Sequence, residues 1–306
     1  QPPIQKGQSS MKLVTYETSG DFQLGVLDEN AQYVLNLSRS GLPNDMVTLI
    51  EMGPAALEKI KAAVEAAPRS AWLALTEVTL TAPIRRPRRN ILCVGKNYHS
   101  HAKEFHRSGF DSSAGADEIP ALPIIFSKAP TSVIGPNVAI PSYLDDTGTT
   151  DYEGELGVII GKGGRGISKQ AAMDHVFGFT IINDVTARQL QRDHKQWFIG
   201  KSIDGFCPMG PWLVTRDEIT NLPDIELRTF VNDELRQKAK LADLIFDIPT
   251  IIETISRRTT LEPGDIIATG TPDGVGIGFT PPRFLKPRDT VRIEIDKLGV
   301  LHNVVG

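Results

Sequence analysis

The chain has 306 residues, of which 40% are apolar and 23% charged, a balance typical of a globular protein with a sizeable core. The 33 basic and 37 acidic residues give a net charge of −4, which argues against a nucleic-acid or anionic-membrane surface. No apolar run approaches the ~18 residues needed to cross a bilayer, and the N-terminus lacks the apolar region of a secretion signal. We therefore expect a cytoplasmic protein with two free thiols, Cys93 and Cys207.

The sequence pattern of the first 80 residues differs from that of the rest of the chain. Residues 12–38 contain short β-rich runs separated by turn signals, and residues 45–66 carry a helical pattern that a Gly-Pro pair interrupts. The Pro- and Arg-rich stretch APIRRPRRN that follows later is typical of a linker. We therefore predict a small N-terminal α+β domain, residues 11–80, and a catalytic domain, residues 81–306.

Apolar runs typical of strands recur from residue 90 onward, at 91–94, 124–126, 156–160, 179–184, 212–215, 227–232, 265–270 and 291–295. Helical patterns are few, at 99–107, 186–195 and 248–257. This composition favours an α+β, mostly β fold with a closed or rolled core over a doubly wound parallel sheet. The segment 108–121 is rich in Gly, Ser and Asp and is predicted to be a loop.

A pair of carboxylates lies in the segment DYEGELGVIIGK, whose apolar end indicates a buried strand. Side chains alternate along a strand, so Glu153 and Glu155 point the same way, roughly 7 Å apart. Two carboxylates that face a core are costly without a cation, and Mg²⁺ and Mn²⁺ prefer such oxygen ligands. The alternative is that both residues lie on a solvated strand face.

A third carboxylate, Asp184, ends the apolar run FTIIND directly before a predicted helix. It either completes a three-carboxylate metal site or serves as the N-cap of that helix. The spacing alone does not choose between the two roles.

A histidine and a glutamate, His101 and Glu104, are three residues apart in a predicted helix and share one of its faces. A histidine beside a carboxylate gains basicity and a fixed tautomer, so it can deprotonate water. The alternative is a weak ion pair on an exposed helix.

Several cationic and polar side chains are candidates for binding a substrate carboxylate. Lys128 and Lys201 lie beside β-rich runs, where the alternative is a lysine at the surface. Arg188 and Gln191 project to the same side of the helix that follows Asp184.

A Gly-rich turn follows the strand at residues 265–270, in the segment GDIIATGTPDGVGIGF. It matches neither a P-loop nor a dinucleotide-binding motif, which excludes those phosphate sites. Its glycines would let backbone N–H groups approach a ligand closely, and the alternative is a simple tight turn.

Six segments, taken in this order, resemble the fumarylacetoacetate hydrolase superfamily: GKNYHSHAKE (95–104), PIIFSKAPTSVIGP (123–136), DYEGELGVIIGK (151–162), GFTIINDVTARQLQ (178–191), GKSIDGFCPMGP (200–211) and GDIIATGTPDGVG (264–276). The resemblance implies a mixed β-sandwich roll and a homodimer. It implies Mg²⁺ or Mn²⁺ bound by Glu153, Glu155 and Asp184. It also implies catalytic roles for His101, Glu104 and Lys201, and substrate contacts from Lys128, Arg188, Gln191 and Thr271.

The activity that this resemblance implies is metal-dependent hydrolysis of a C–C bond in a small 2,4-dioxo acid of the acylpyruvate or fumarylpyruvate type. The reaction would pass through an enolate that the metal stabilises. Oxaloacetate-type decarboxylation and 2-hydroxymuconate-type isomerisation or hydration remain open alternatives. A non-catalytic binding protein is a further alternative, against which the His–Glu pair and the three carboxylates argue.

Overall fold

The computed structural model describes residues 11–113 and 119–306. Residues 1–10 lie outside the described part, as do residues 114–118 of the predicted loop 108–121. The two cysteines are buried free thiols, as expected.

The first part of the chain forms five strands and two helices. They are β1 (Lys12–Thr18), β2 (Asp21–Leu27), β3 (Tyr33–Asn36), α1 (Met46–Glu51), α2 (Pro54–Ala66), β4 (Trp72–Ala74) and β5 (Thr79–Leu80). The predicted interruption between the helices is confirmed. Gly53 has a φ of 63°, which glycine adopts without strain, and Pro54 occupies the first turn of α2.

The remaining strands are β6 (Ile91–Gly95), β7 (Ile124–Lys128), β8 (Val133–Ile134), β9 (Thr150–Asp151), β10 (Gly154–Ile160), β11 (Val176–Asn183), β12 (Thr186–Ala187), β13 (Cys207–Thr215), β14 (Glu226–Val231), β15 (Glu234–Lys240), β16 (Ile266–Ala268), β17 (Thr290–Ile295) and β18 (Gly299–Val304). The remaining helices are α3 (His99–Arg107), α4 (Arg188–Asp193), α5 (Phe198–Lys201) and α6 (Ile248–Ser256). The longest described helix, α2, has 13 residues, so none of the described helices is a candidate membrane span.

Two sheets form the sandwich. The larger has the order β4-β3-β2-β1-β13-β11-β10-β16-β6-β7, with β5 paired to β1 and β8 to β13. Most of its pairs are antiparallel, but β16–β6 and β13–β8 are parallel, so the sheet is mixed. The smaller sheet has the order β15-β14-β17-β18, and β9 and β12 form a separate ribbon. The expected mixed β-sandwich is confirmed.

The main core lies between the sheets. In β17 the buried positions alternate, as expected for a strand with one face in the core, and include Val291 and Ile293. They share a cluster with Leu156 and Val158 of β10, a strand that is buried at every position. β10, which carries Glu155 and directly follows Glu153, therefore runs through the main core.

The N-terminal strands continue the large sheet. In the register of β1 with β13, Lys12 pairs with Val214 and Leu13 with Leu213. Leu13 and Leu213 also belong to one apolar cluster, which includes Leu24 of β2. The sheet and its core thus cross the predicted domain boundary near residue 80, and the division into two domains stays a prediction.

The helix predicted at 186–195 is shorter than expected. Thr186 and Ala187 pair with Asp151 and Thr150 of β9, so α4 begins only at Arg188. The β9–β12 ribbon thereby brings Asp151 next to the first turn of α4.

Replacing Leu13 with alanine tests whether the two parts unfold together. Leu13 is fully buried, so Leu13→Ala should lower the free energy of unfolding by about 2–5 kcal/mol. Leu73→Ala, at a position 37% exposed, is the matched control and should cost much less. Denaturant unfolding followed by circular dichroism should show one transition, shifted as a whole. Two separate transitions, with only one of them shifted, would support independent domains.

Candidate active site

Three carboxylates converge at the ends of neighbouring strands. β10 and β11 pair side by side, and the Asp184 backbone N–H donates to the Glu153 carbonyl at 2.9 Å. Glu153, Glu155 and Asp184 each offer an oxygen within 4.8 Å of the others. All three are at most 4% exposed. The solvated-face alternative for the glutamates is therefore wrong.

Asp184 is not a helix cap. The N-cap position of α4 is Ala187, three residues later, so the Asp184 carboxylate is available to the site. The structure thus brings together the three predicted metal ligands, although metal binding itself stays a prediction.

Two of these carboxylates are held by cations. Lys201 Nζ donates to Glu153 Oε2 and to Asp184 Oδ2, each at 2.8 Å. Arg188 Nη1 lies 2.7 Å from Glu153 Oε1, and Lys128 Nζ lies 2.7 Å from Asp184 Oδ1. Burial opposes ionisation of Glu153, but Lys201 and Arg188 outweigh it and lower the pKa of this carboxyl group.

Glu155 has a different environment. One of its oxygens accepts the Gly270 backbone N–H at 2.9 Å. Burial, together with the charges of Asp184 and Glu153, raises its pKa well above the ordinary value. A divalent cation within reach of the three residues would reverse this, because it favours the ionised form. The donor set therefore fits Mg²⁺ or Mn²⁺, with Glu155 as the ligand that most needs the ion.

Asp151 is a fourth buried carboxylate, which sequence reasoning missed. Its Oδ2 accepts Arg188 Nε at 2.9 Å, and its Oδ1 accepts the Gly276 N–H at 2.7 Å. Asp151 thereby fixes the guanidinium of Arg188, whose Nη1 contacts Glu153. Strand alternation could have identified it, since it lies two residues before Glu153.

His101 and Glu104 form a buried pair on α3. His101 Nδ1 lies 3.1 Å from Glu104 Oε2, and His101 is only 4% exposed, so the surface-pair alternative is wrong. Glu104 Oε1 accepts the Gly274 backbone N–H at 3.0 Å. An ionised carboxylate only accepts hydrogen bonds, so Nδ1 carries the proton and Nε2 is left as the basic nitrogen.

The Gly-rich turn approaches carboxylates of the protein rather than a ligand. Gly270, Gly274 and Gly276 donate their backbone N–H groups to Glu155, Glu104 and Asp151 respectively. A Cβ at Gly276 would lie 2.7 Å from Asp151 Oδ1, so the close approach requires glycine.

Three of the four residues predicted to contact substrate line the cavity, and Lys128 does not. Arg188, Gln191 and Thr271 line the same cavity as the carboxylates, but the Thr271 hydroxyl already donates to the Gly154 carbonyl at 2.9 Å. Their roles stay predictions.

Lys128 lies behind Asp184. It is fully buried, and its Nζ also contacts the Val185 and Lys201 carbonyl oxygens. Lys128 does not line the cavity, and its substrate contact stays a prediction.

One cavity joins these groups. It contains about 290 Å³ of empty space, part of it open to solvent. Its lining includes His101, Glu153, Glu155 and Lys201, together with Lys96, which sequence reasoning did not identify. Phe105, Phe126 and Trp197 supply apolar walls. Ligand pockets typically combine apolar walls with a few convergent polar groups, as this cavity does.

Comparisons with known proteins agree with this architecture. Residues 90–306 match the family model for the C-terminal part of fumarylacetoacetate (FAA) hydrolase. YisK, an oxaloacetate tautomerase of Bacillus subtilis, is 52% identical over 232 residues, which cover 76% of this chain and 74% of the relative.

Two solved structures are similar over nearly their whole length. A fumarylacetoacetate hydrolase from Exiguobacterium antarcticum has 39% identity and a TM-score of 0.81, covering 97% of this chain and 99% of that chain. The maleylpyruvate hydrolase from Sphingobium sp. SYK-6, solved with manganese(II) and pyruvate, has 31% identity and a TM-score of 0.76, covering 96% and 98%. The chain belongs to the fumarylacetoacetate hydrolase family.

Proposed function

We propose that this enzyme interconverts the enol and keto forms of a small 2-oxo acid of the oxaloacetate type, with Mg²⁺ or Mn²⁺ held by Glu153, Glu155 and Asp184. The observation that carries the proposal is the convergence of these three buried carboxylates at a cavity that Glu153, Glu155 and His101 line, with Glu104 paired to His101. The identity to an oxaloacetate tautomerase over three quarters of the chain supports the reaction type.

The charges around the carboxylates support a divalent ion. Four carboxyl groups, those of Asp151, Glu153, Glu155 and Asp184, face three cationic side chains, so one negative charge would be unbalanced with all four ionised, in agreement with the raised pKa of Glu155. A divalent ion would reverse the sign and leave a site that attracts an anionic 2-oxo acid. It would also supply a chelation point for the carboxylate and keto oxygens and stabilise negative charge on the keto oxygen.

His101 would move the proton. With Nδ1 hydrogen-bonded to Glu104, its Nε2 would accept a proton from C3 of the keto form. The electron pair of the C–H bond becomes the C=C bond, and the keto oxygen takes up the charge and then a proton from solvent, while the imidazolium releases its proton to solvent. In the reverse direction, the enol oxygen releases its proton to solvent and the imidazolium donates its proton to C3. Glu104 stabilises that imidazolium, a role that needs its ionised form.

Arg188 and Lys201 would hold the substrate. Arg188 is 1% exposed and lines the cavity, and its Nη2 has no hydrogen-bond partner among the described residues. A buried guanidinium nitrogen without a partner is costly, which favours a substrate carboxylate there. Lys201 uses two of its three N–H groups on Glu153 and Asp184 and retains one for the ligand.

C–C hydrolysis is the second candidate, and it was the first hypothesis from the sequence. The same His–Glu pair could activate a water for attack on a distal carbonyl, and the maleylpyruvate hydrolase supports this chemistry. One observation favours tautomerisation: the identity to the tautomerase, 52%, is higher than the 31% identity to the maleylpyruvate hydrolase.

Removing the basic nitrogen should abolish most of the activity. His101→Gln should slow enol–keto interconversion of oxaloacetate about 10²- to 10⁴-fold, since the proton carrier is lost. The disappearance of the enol absorbance, measured with Mg²⁺ present, gives the rate. His99→Gln is the matched control, because His99 is exposed on the same helix. Equal rates for wild type and His101→Gln would contradict the assigned role.

Substrate comparison separates the two reactions. Purified enzyme with Mg²⁺ or Mn²⁺ is given enol oxaloacetate in one assay and acylpyruvates in another. We expect rapid conversion of the enol and, at most, slow release of pyruvate from the acylpyruvates. Fast acylpyruvate cleavage with no effect on enol oxaloacetate would instead establish the hydrolase. Rapid CO₂ release from oxaloacetate would indicate the decarboxylase.

A further inference from the structure

A buried lysine lines the cavity away from the carboxylate cluster. Lys96 is 4% exposed, and its Nζ donates to Asp111 Oδ2 at 2.5 Å. The other cavity cations, Arg188 and Lys201, both contact Glu153. Lys96 thus differs from these two cations, because its ion pair with Asp111 lies outside the proposed metal site.

The backbone holds Lys96 in an unusual conformation. Its φ is 54°, a left-handed value that non-glycine residues adopt only when their surroundings impose it. The surroundings are the end of β6 at Gly95 and the buried side chain of Asn97. Asn97 Nδ2 donates to the Phe246 and Thr269 carbonyl oxygens, and its Oδ1 accepts the Phe246 N–H. This anchoring directs the preceding side chain into the cavity.

Asp111 orients Lys96. Its Oδ1 accepts the Ser113 N–H at 2.9 Å, and His106 Nδ1 lies 3.5 Å from its Oδ2. Although burial opposes ionisation, the hydrogen bonds from Lys96 and Ser113 lower the pKa of Asp111. The contact with Asp111 uses one of the three N–H groups of the Lys96 ammonium.

The Phe105 ring lies close to both Lys96 and Arg188, the side chain proposed above to bind the substrate. The Phe105 ring centroid lies 5.6 Å from Lys96 Nζ and 5.9 Å from Arg188 Cζ. Two cations close to one ring inside a small cavity are arranged for a ligand that carries two negative groups.

We propose that Lys96 binds the distal carboxylate of a dicarboxylic 2-oxo acid and so selects dicarboxylic over monocarboxylic ligands, with Asp111 as its positioning residue. This inference rests on the proposed function, because it places the 2-oxo end of the ligand at the carboxylate cluster. A ligand without a distal carboxylate would leave the remaining N–H groups of a buried ammonium unsatisfied, which is costly.

Binding of two unreactive ligands tests the inference independently of turnover. Malate and 2-hydroxybutanoate share the chelating end and differ in having a carboxylate or a methyl group at the distal end. Calorimetric titration into Mn²⁺-loaded protein should show malate binding about 10- to 100-fold more tightly. Lys96→Met should remove that preference: malate should bind more weakly, while 2-hydroxybutanoate should bind at least as tightly as it does to wild type, because no buried ammonium is left unsatisfied. Lys103→Met, at an exposed lysine of α3, should behave as wild type.

A second variant guards against misfolding. Lys96→Met leaves Asp111 buried without its cation, so the double variant Lys96→Met/Asp111→Asn removes both charges and should lose the same preference. Equal binding of the two ligands by wild type, or equal weakening of both ligands by Lys96→Met, would overturn the inference. A wrong proposed function would give another result: wild type would still prefer malate but would not convert the enol form of oxaloacetate.

Discussion

Burying several carboxylates in one place is the constraint on which this structure depends. Glu153, Glu155, Asp184 and Asp151 lie within the protein at no more than 4% exposure. Each ionised carboxylate that loses water needs hydrogen bonds and opposite charge in return. Lys201, Arg188 and Lys128 supply most of that charge through ion pairs with Asp151, Glu153 and Asp184, whereas the hydrogen bond that Glu155 makes with the described residues comes from the Gly270 backbone N–H. The fold therefore contains an anionic centre that a divalent ion would complete.

The Gly-rich turn connects this centre to the catalytic pair. Residues 270–276 donate three backbone N–H groups, to Glu155, to Glu104 and to Asp151. Asp151 in turn fixes Arg188. A shift of this turn would therefore displace a predicted metal ligand, the partner of the proposed catalytic histidine and the proposed substrate-binding guanidinium together. The backbone N–H groups of the turn contact carboxylates of the protein.

Local patterns were sufficient to predict much of the site. Alternation along a strand placed Glu153 and Glu155 together, and helical spacing paired His101 with Glu104, because both rules depend only on neighbouring residues. The same alternation points to Asp151, two residues before Glu153, but its role depends on Arg188, a contact between distant segments.

Tertiary packing decided what the sequence could not show. The burial of Lys128 behind Asp184 depends on carbonyl groups from two distant segments. The left-handed backbone of Lys96 depends on Asn97 contacts with residues about 150 positions away. The N-terminal strands join the large sheet through β13, a pairing that periodicity cannot reveal. The homodimer remains a prediction.

Direct titration of the ion tests the central claim. Mn²⁺ is titrated calorimetrically into chelator-treated wild type, Glu155→Gln and, as a matched control, Glu104→Gln, whose carboxylate lies outside the three-residue cluster. The account predicts one ion per chain for wild type and the control, and an affinity at least about ten-fold lower for Glu155→Gln. Wild type that binds no ion, or a Glu155→Gln variant that binds it as tightly as wild type, would contradict the account.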